Sequence, residues 1–188
     1  MKKITSNKRT RLLEAANKRV CQQGFNQTTL ADIAKEADVP LGNIYYYYKT
    51  KEDIGHALIA HNADYYQSLT AAWEKSSDDP KKRILALIRE VASRRQLLAQ
   101  SGCPIGSLCQ ELRKDGGPLA DKAATLLAAI LLWAEQQFRL LGKGQESADL
   151  ALHLVSVLQG AGLLTHAFNK PSLMLRATTR LEQWVDTL

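Results

Sequence analysis

Apolar residues recur every third or fourth position along nearly the whole chain, and no stretch alternates apolar with polar residues for long enough to argue for a strand. The pattern predicts an all-α protein of about nine helices. The first covers Asn7 to Gln23 with Leu12, Ala16 and Val20 on one face, and Gly24 followed by Phe25 gives it a left-handed stop. Thr29-x-x-Asp32 reads as a capping box that opens a short second helix, whose inward residues are Leu30, Ile33, Ala34 and Ala37 and which Asp38-Val39-Pro40 breaks. A third helix is predicted over Leu41 to Tyr48. Thr50-x-x-Asp53 opens a long fourth helix reaching about Lys75. Further helices are predicted over Lys81 to Gln100, Ile105 to Lys114, Leu119 to Leu141, Glu146 to Phe168 and Leu173 to Leu188, with Gly102-Cys103-Pro104 and Gly116-Gly117-Pro118 as breaks. Only Asn169-Lys170-Pro171-Ser172 joins the last two, which forces an antiparallel hairpin. The organisation expected is an N-terminal three-helix bundle over 1–50, linked by the long fourth helix to a helical body over 51–188.

Charge divides the chain at the same place. Residues 1 to 51 hold 10 Lys and Arg against 4 Asp and Glu, 10 − 4 = +6, and the remaining 15 basic and 15 acidic residues cancel, so the whole net charge of +6 sits in this head. Lys and Arg gain affinity for a polyanion by releasing its condensed counterions, so this asymmetry points to a nucleic-acid-binding head on a neutral body.

Two short helices joined by three or four residues suit a major-groove reader, in which the first braces the backbone and the second presents side chains to base edges. At 100° per residue the third helix places Leu41, Ile44, Tyr45 and Tyr48 on one face and Gly42, Asn43, Tyr46 and Tyr47 on the other, so the second set should face DNA. An amide at Asn43 both donates to and accepts from adenine, a match worth roughly 1–3 kcal/mol of discrimination. Tyr hydroxyls suit phosphate oxygens and their rings suit thymine methyls, Gly42 lets the backbone come close, and Lys51 adds a cation at the start of the fourth helix. A plainer reading makes the four consecutive tyrosines, Tyr45 to Tyr48, an aromatic patch on the fourth helix. The turn, both capping patterns and the charge asymmetry favour DNA.

The run TTLADIAKEADVPLGNIYYYYKTKEDIGHAL, with Leu12, Ala16, Gly24-Phe25 and Thr28-Thr29 upstream, resembles the DNA-binding domain of the TetR family of bacterial one-component transcriptional regulators. The resemblance covers about residues 7 to 60, and the helices that follow are similar in number to the family's ligand-binding and dimerisation body. It implies a homodimer that occupies a palindromic operator on double-stranded DNA and leaves it when a small-molecule effector binds. Carried over, the family pattern assigns DNA contact to Thr29, Leu41, Gly42, Asn43, Tyr45, Tyr46, Tyr47 and Lys51, and core packing to Ile33, Ala34, Val39 and Ile44. Leu41 and Tyr45 therefore stand at the boundary between the helical wheel and the pattern. The chain departs from the pattern at Asp38, where Gly is usual, at Pro40, where a Ser cap is usual, and at Tyr48, where Phe is usual.

In the body, the helix over Glu146 to Phe168 is apolar nearly all round, more than one protomer's core can cover, which points to a partner helix. Leu154, Leu158, Gly162, Leu181 and Trp184 are the expected dimer interface. Aromatic and polar residues near the body's centre, Tyr65, Tyr66, Trp73, Trp133, Phe138, His153 and His166, together with Cys103, are the expected effector pocket. Cys103 lies at a Gly/Pro break just before a helix, where N–H dipoles favour thiolate, and the segment looks like that of family members responding to oxidants or electrophiles. Small packing thiol is the rival role for Cys103.

No catalytic residue, metal or cofactor is expected. Cys21, Cys103 and Cys109 include no C-x-x-C spacing, and His56 and His61 are five apart, missing the spacing that puts two ligands on one helical face. An all-helical enzyme and a DNA-binding activator that senses nothing are the competing classes. Neither a signal sequence nor a membrane span is expected, Ala123 to Ala134 being the most apolar stretch and too short to cross a bilayer, so a cytoplasmic protein is expected.

Overall fold

Both predicted capping boxes form and set the geometry of the head. In the computed structural model, which describes residues 2–188 and side chains from Lys8 onward, α1 (Lys2–Gln23) ends at Gly24, whose φ is +85°. The expected charges of Lys2 and Lys3 lie outside the described side chains. Thr29 caps α2 (Leu30–Glu36): its hydroxyl accepts from the Asp32 N–H at 3.1 Å, while the Asp32 carboxylate accepts from the Thr29 N–H at 2.9 Å and its hydroxyl at 2.7 Å. The same reciprocal pair joins Thr50 and Asp53 at the start of α4 (Lys51–Ser76), where Asp53 also accepts from the Lys49 N–H at 2.9 Å. Between them lies α3 (Leu41–Tyr47).

These bonds pull both carboxylates below their ordinary range, Asp32 chiefly through the Thr29 hydroxyl and Asp53 chiefly through the Thr50 N–H. A depressed carboxylate contributes stability above its unfolded value, about 4, and that contribution is lost as pH falls through the depressed one. Thermal unfolding followed between pH 7 and pH 2 should therefore show a loss on the acid side that is shallower in the Asp32→Asn, Asp53→Asn double variant; identical acid limbs would remove the caps from the account.

The rest of the chain is α5 (Pro80–Ser93), α6 (Arg95–Ser101), α7 (Pro104–Asp115), α8 (Pro118–Leu140), a 3-10 turn (Gly144–Glu146), α9 (Ser147–Ala167) and α10 (Pro171–Asp186). Among the described residues there are thus ten α-helices and no strand, one helix more than expected, because the segment predicted as a single helix over Lys81 to Gln100 breaks at Arg94. There φ is −89° and ψ is 6°, and the Arg94 N–H turns back to the Val91 carbonyl, while its side chain binds Glu90 at 2.7 Å. No Gly or Pro marks the place.

Packing divides the chain into two compact units, Met1–Ala63 with Pro104–Ala124, and Asp64–Cys103 with Thr125–Leu188. The unit built on the helix-turn-helix thus takes in α7 and the start of α8 as well as 1–50. Its buried residues include Leu12 and Ala16 of α1, Ile33 and Ala34 of α2, Val39, Ile44 and Tyr48 around α3, and Ile54 and Leu58 of α4. Glu111 of α7 accepts from the Asn26 N–H at 3.0 Å, and a Cβ on Gly24 would come within 2.8 Å of that carboxylate. In the second unit Ile84, Leu87 and Ile88 of α5 pack with Ala134 and Phe138 of α8, Ala151, Leu154 and Leu158 of α9, and Leu181 and Val185 of α10. The predicted α9–α10 hairpin is present, turning at Asn169 with φ +49°.

Candidate nucleic-acid interface

α3 is only two turns long and is seated by very few residues. Ile44 is fully buried and Tyr48, just past the last turn, nearly so, with Val39 buried on the entering side. The Tyr48 hydroxyl is buried without a hydrogen-bond partner, where a phenyl ring would carry no polar group to satisfy. Everything else points outward or half outward: Gly42, Asn43 and Thr29 are exposed, Tyr46 is 78% exposed, and Tyr47 is half-buried with its ring edge-on to Tyr46 at 5.0 Å. A Cβ on Gly42 would meet nothing within 4 Å, so the backbone there is open to an approaching surface.

The helical wheel fails at two positions. Leu41 is 44% and Tyr45 50% exposed, not inward, because a helix this short rests on the narrow stripe through Ile44 and Tyr48 and leaves the flank carrying residues 41 and 45 uncovered. Of the residues that the family pattern carries over, Thr29, Leu41, Gly42, Asn43, Tyr45 and Tyr46 are exposed, while Tyr47 and Lys51 are half-buried. Lys51 is placed differently from a freely reaching cation: its ammonium donates to the Asn26 carbonyl at 2.7 Å and lies 4.9 Å from the centre of the Phe25 ring. Two of its three N–H donors remain for other acceptors.

The turn between α2 and α3 is a closed one. Asp38 takes φ +51°, the Val39 N–H bonds back to Ala34 and the Asp38 N–H to Lys35, the paired bonds of a left-handed helix end normally built on Gly. Arg11 of α1 donates to the Ala37 carbonyl and, at 3.0 Å, to the Asp38 carbonyl, and Lys18 pairs with Glu36 at 2.5 Å. Sequence reasoning missed Arg11 because nothing in the spacing of α1 reports what its polar side faces.

In the second unit the residues expected to line an effector pocket fall into separate groups. The Tyr65 hydroxyl donates to Glu90 at 3.0 Å and accepts from Arg94, whose guanidinium also lies 4.7 Å from the ring centre. Tyr66 stands edge-on beside Tyr65, and burial first, then the neighbouring Cys103 sulfur, push its phenol up. Cys103 is half-buried and packs against Leu98, Ala161 and Met174, whereas Cys109 is buried in the other unit with its sulfur 3.1 Å from the Ala123 carbonyl. Trp73 and Trp133 meet at 5.4 Å, and the Trp133 N–H donates to Glu74. Phe138 is ordinary core. His153 and His166 are corrections: both are exposed, the first edge-on to Trp184 at 4.8 Å, the second with a ring nitrogen 3.0 Å from the Ala99 carbonyl.

The expected interface residues need correcting too. Leu154, Leu158, Gly162 and Leu181 are buried within the single chain and Trp184 is half-buried against Phe138, because α9 turns the stripe through Ala151, Leu154, Leu158 and Gly162 into its own core and α10 packs along it. The apolar residues that this leaves outside are Leu152, Leu163 and Leu164 on α9, Phe168 just past it and Leu175 on α10. The segment Gly144–Ala167, not Ala123 to Ala134, is also the stretch long and apolar enough by composition to cross a bilayer; its inner stripe is committed to the core described above.

Comparison with known proteins agrees with the geometry. Residues 12–58 match the family model for bacterial regulatory proteins of the tetR family, a span that holds α2, α3 and their turn. The HTH-type transcriptional repressor NemR of Escherichia coli is 32% identical over 145 residues, covering 74% of this chain and 73% of NemR. The HTH-type transcriptional regulator LmrA of Bacillus subtilis is 26% identical over 172 residues, 89% of this chain and 90% of that one. Among solved structures, a TetR-family regulator from Streptomyces coelicolor superimposes with a TM-score of 0.84 at 20% identity over 96% of this chain and 94% of that one, and reduced NemR with 0.77 at 22% identity over 94% and 96%. A two-turn helix with an open outer face, in a matching fold and a matching sequence, identifies this chain as a member of the TetR family of bacterial DNA-binding transcriptional regulators.

Proposed function

We propose that the protein is a homodimeric repressor that acts in the cytoplasm, holding a palindromic operator through α3 of each copy and releasing it when an effector occupies the second unit. The observation that carries this reading is the exposed face of Gly42, Asn43 and Tyr46 on a helix seated by Ile44 and Tyr48. Asn43 is assigned base recognition; Tyr45, Tyr46, Tyr47, Thr29 and Lys51 are assigned backbone contacts, and Leu41 a thymine methyl. Two such helices about 34–36 Å apart would read successive major grooves, and the outward leucines of α9 supply a surface for the second copy. The effector acts by its differential affinity for two conformations, the weaker DNA binder being the one it favours.

Selection from a randomised duplex pool tests the reading. Asn43→Ala should lose preference at one base pair of each half-site, worth roughly 1–3 kcal/mol, and an unchanged profile would remove Asn43 from base recognition.

A second reading, thiol sensing at Cys103, is favoured by the half-buried sulfur at the break between α6 and α7 and its closeness to Tyr66. Peroxide or an aldehyde should then release wild-type protein from the operator but not Cys103→Ser. Equal release of both would leave Cys103 a packing residue.

A further inference from the structure

Arg11 is one of the ten cations of the basic head, yet its guanidinium is turned inward onto the protein. The turn it meets is the hinge between the bracing helix and the reading helix, and that turn carries two unusual burdens. Its left-handed position is filled by Asp38 at φ +51°, a conformation that Gly takes freely and that Asp tolerates better than most side chains but still less well than Gly. The carbonyls of Ala37 and Asp38 also lie beyond the last helical bonds of α2, which end with Val39 to Ala34 and Asp38 to Lys35. Arg11 supplies what both lack: one amino group donates to both carbonyls and stands 3.5 Å from the Asp38 carboxylate. Its own position is firm, because the next residue, Leu12, is fully buried, as is Ala15 nearly, and one turn further on Lys18 fastens Glu36 at the end of α2.

We infer that Arg11 is a positioning residue for DNA recognition: it holds the Asp38 turn in its left-handed form and so fixes the angle at which α3 enters the groove, without itself contacting phosphate. This rests on the assignment of α3 as the reading helix. The compensation is specific, since a residue that needs no help at positive φ should make Arg11 dispensable. Asp38→Gly is that residue change.

The experiment measures operator affinity across a range of salt concentrations for wild type, Arg11→Ala, Arg11→Lys, Asp38→Gly and Arg11→Ala/Asp38→Gly. Each preparation is referred to its binding-competent fraction, counted by titration at stoichiometric DNA, so that unfolded protein does not register as weak binding. Arg11→Ala should weaken operator binding roughly five- to a hundredfold, the range spanned by the cost of a non-glycine residue at that backbone position. The slope of log affinity against log salt should stay that of wild type, whereas loss of a phosphate contact would lower it by about 0.9. Arg11→Lys, with a point charge in place of a fork, should fall between. Asp38→Gly alone should bind within about threefold of wild type, and the double variant should recover to the same level, since Gly takes positive φ without strain. A flattened slope in Arg11→Ala or Arg11→Lys, an unchanged affinity, or a double variant as weak as Arg11→Ala overturns the inference while leaving α3 as reader. Wild type that binds operator no better than random duplex overturns both.

Discussion

Replacing Leu163 and Leu164 together by Glu is expected to leave the chain folded, convert it to a monomer and weaken operator binding by roughly 10²–10⁴-fold. Both side chains lie outside the core, 61% and 50% exposed, so a carboxylate at either position meets water in the isolated chain and costs the fold little. In the proposed dimer the same carboxylates would be desolvated without a partner. Once the copies separate, the second head no longer binds at the effective concentration that linkage to the first provides, which is the source of the 10²–10⁴ factor. Sedimentation would show the mass of one chain, circular dichroism an unchanged helix content, and a half-site duplex would be bound equally by variant and wild type. A variant that remains dimeric would place the subunit contact elsewhere, on a surface such as the one carrying Leu132 and Leu140 of α8.

Ile44→Ala is the second large effect. Ile44 is fully buried under a helix that has only Tyr48 and Val39 as further anchors, so its loss leaves a cavity beneath the reading face. Truncation of a buried Ile costs about 2–5 kcal/mol, a large share of what holds a domain of this size folded. α3 has no reserve to absorb it, being two turns long and too short to persist by its own propensity. Hydrogen exchange should therefore report early opening of α3 and its turn, and operator binding should be lost at temperatures where the second unit is still folded. Normal affinity in Ile44→Ala would mean that α3 is seated by other residues than those named.

How much of this could be read from the chain follows from which forces are local. Helix order, the two Thr-x-x-Asp caps and the α9–α10 hairpin are decided by neighbours in sequence, and the structure has all of them where the pattern predicts. The third helix is legible for the same reason. What failed were choices between surfaces. A helix that is apolar all round, as α9 is, offers no polar stripe to say which leucines face its own core, so nothing in its spacing tells that Leu154 and Leu158 are buried within the chain while Leu152 and Leu163 lie outside. A wheel likewise assumes a broad inner face, which two-turn α3 does not have, and so it misplaced Leu41 and Tyr45. At the break, the Arg94 side chain meets Tyr65, 29 residues away, and that of Arg11 meets the Asp38 carbonyl, 27 residues away. Partners as distant as Tyr65 and Asp38 leave no trace in local spacing.

The central claim, that paired α3 helices read an inverted repeat through Asn43, is tested most directly by selecting bound sites from randomised duplex with wild type and Asn43→Ala in parallel. The account predicts two inverted half-sites centred about one helical turn, or a multiple of it, apart, with the variant indifferent at one symmetry-related pair of positions and otherwise unchanged. Enrichment of no sequence by wild type, or of a single half-site bound by one chain, would contradict it.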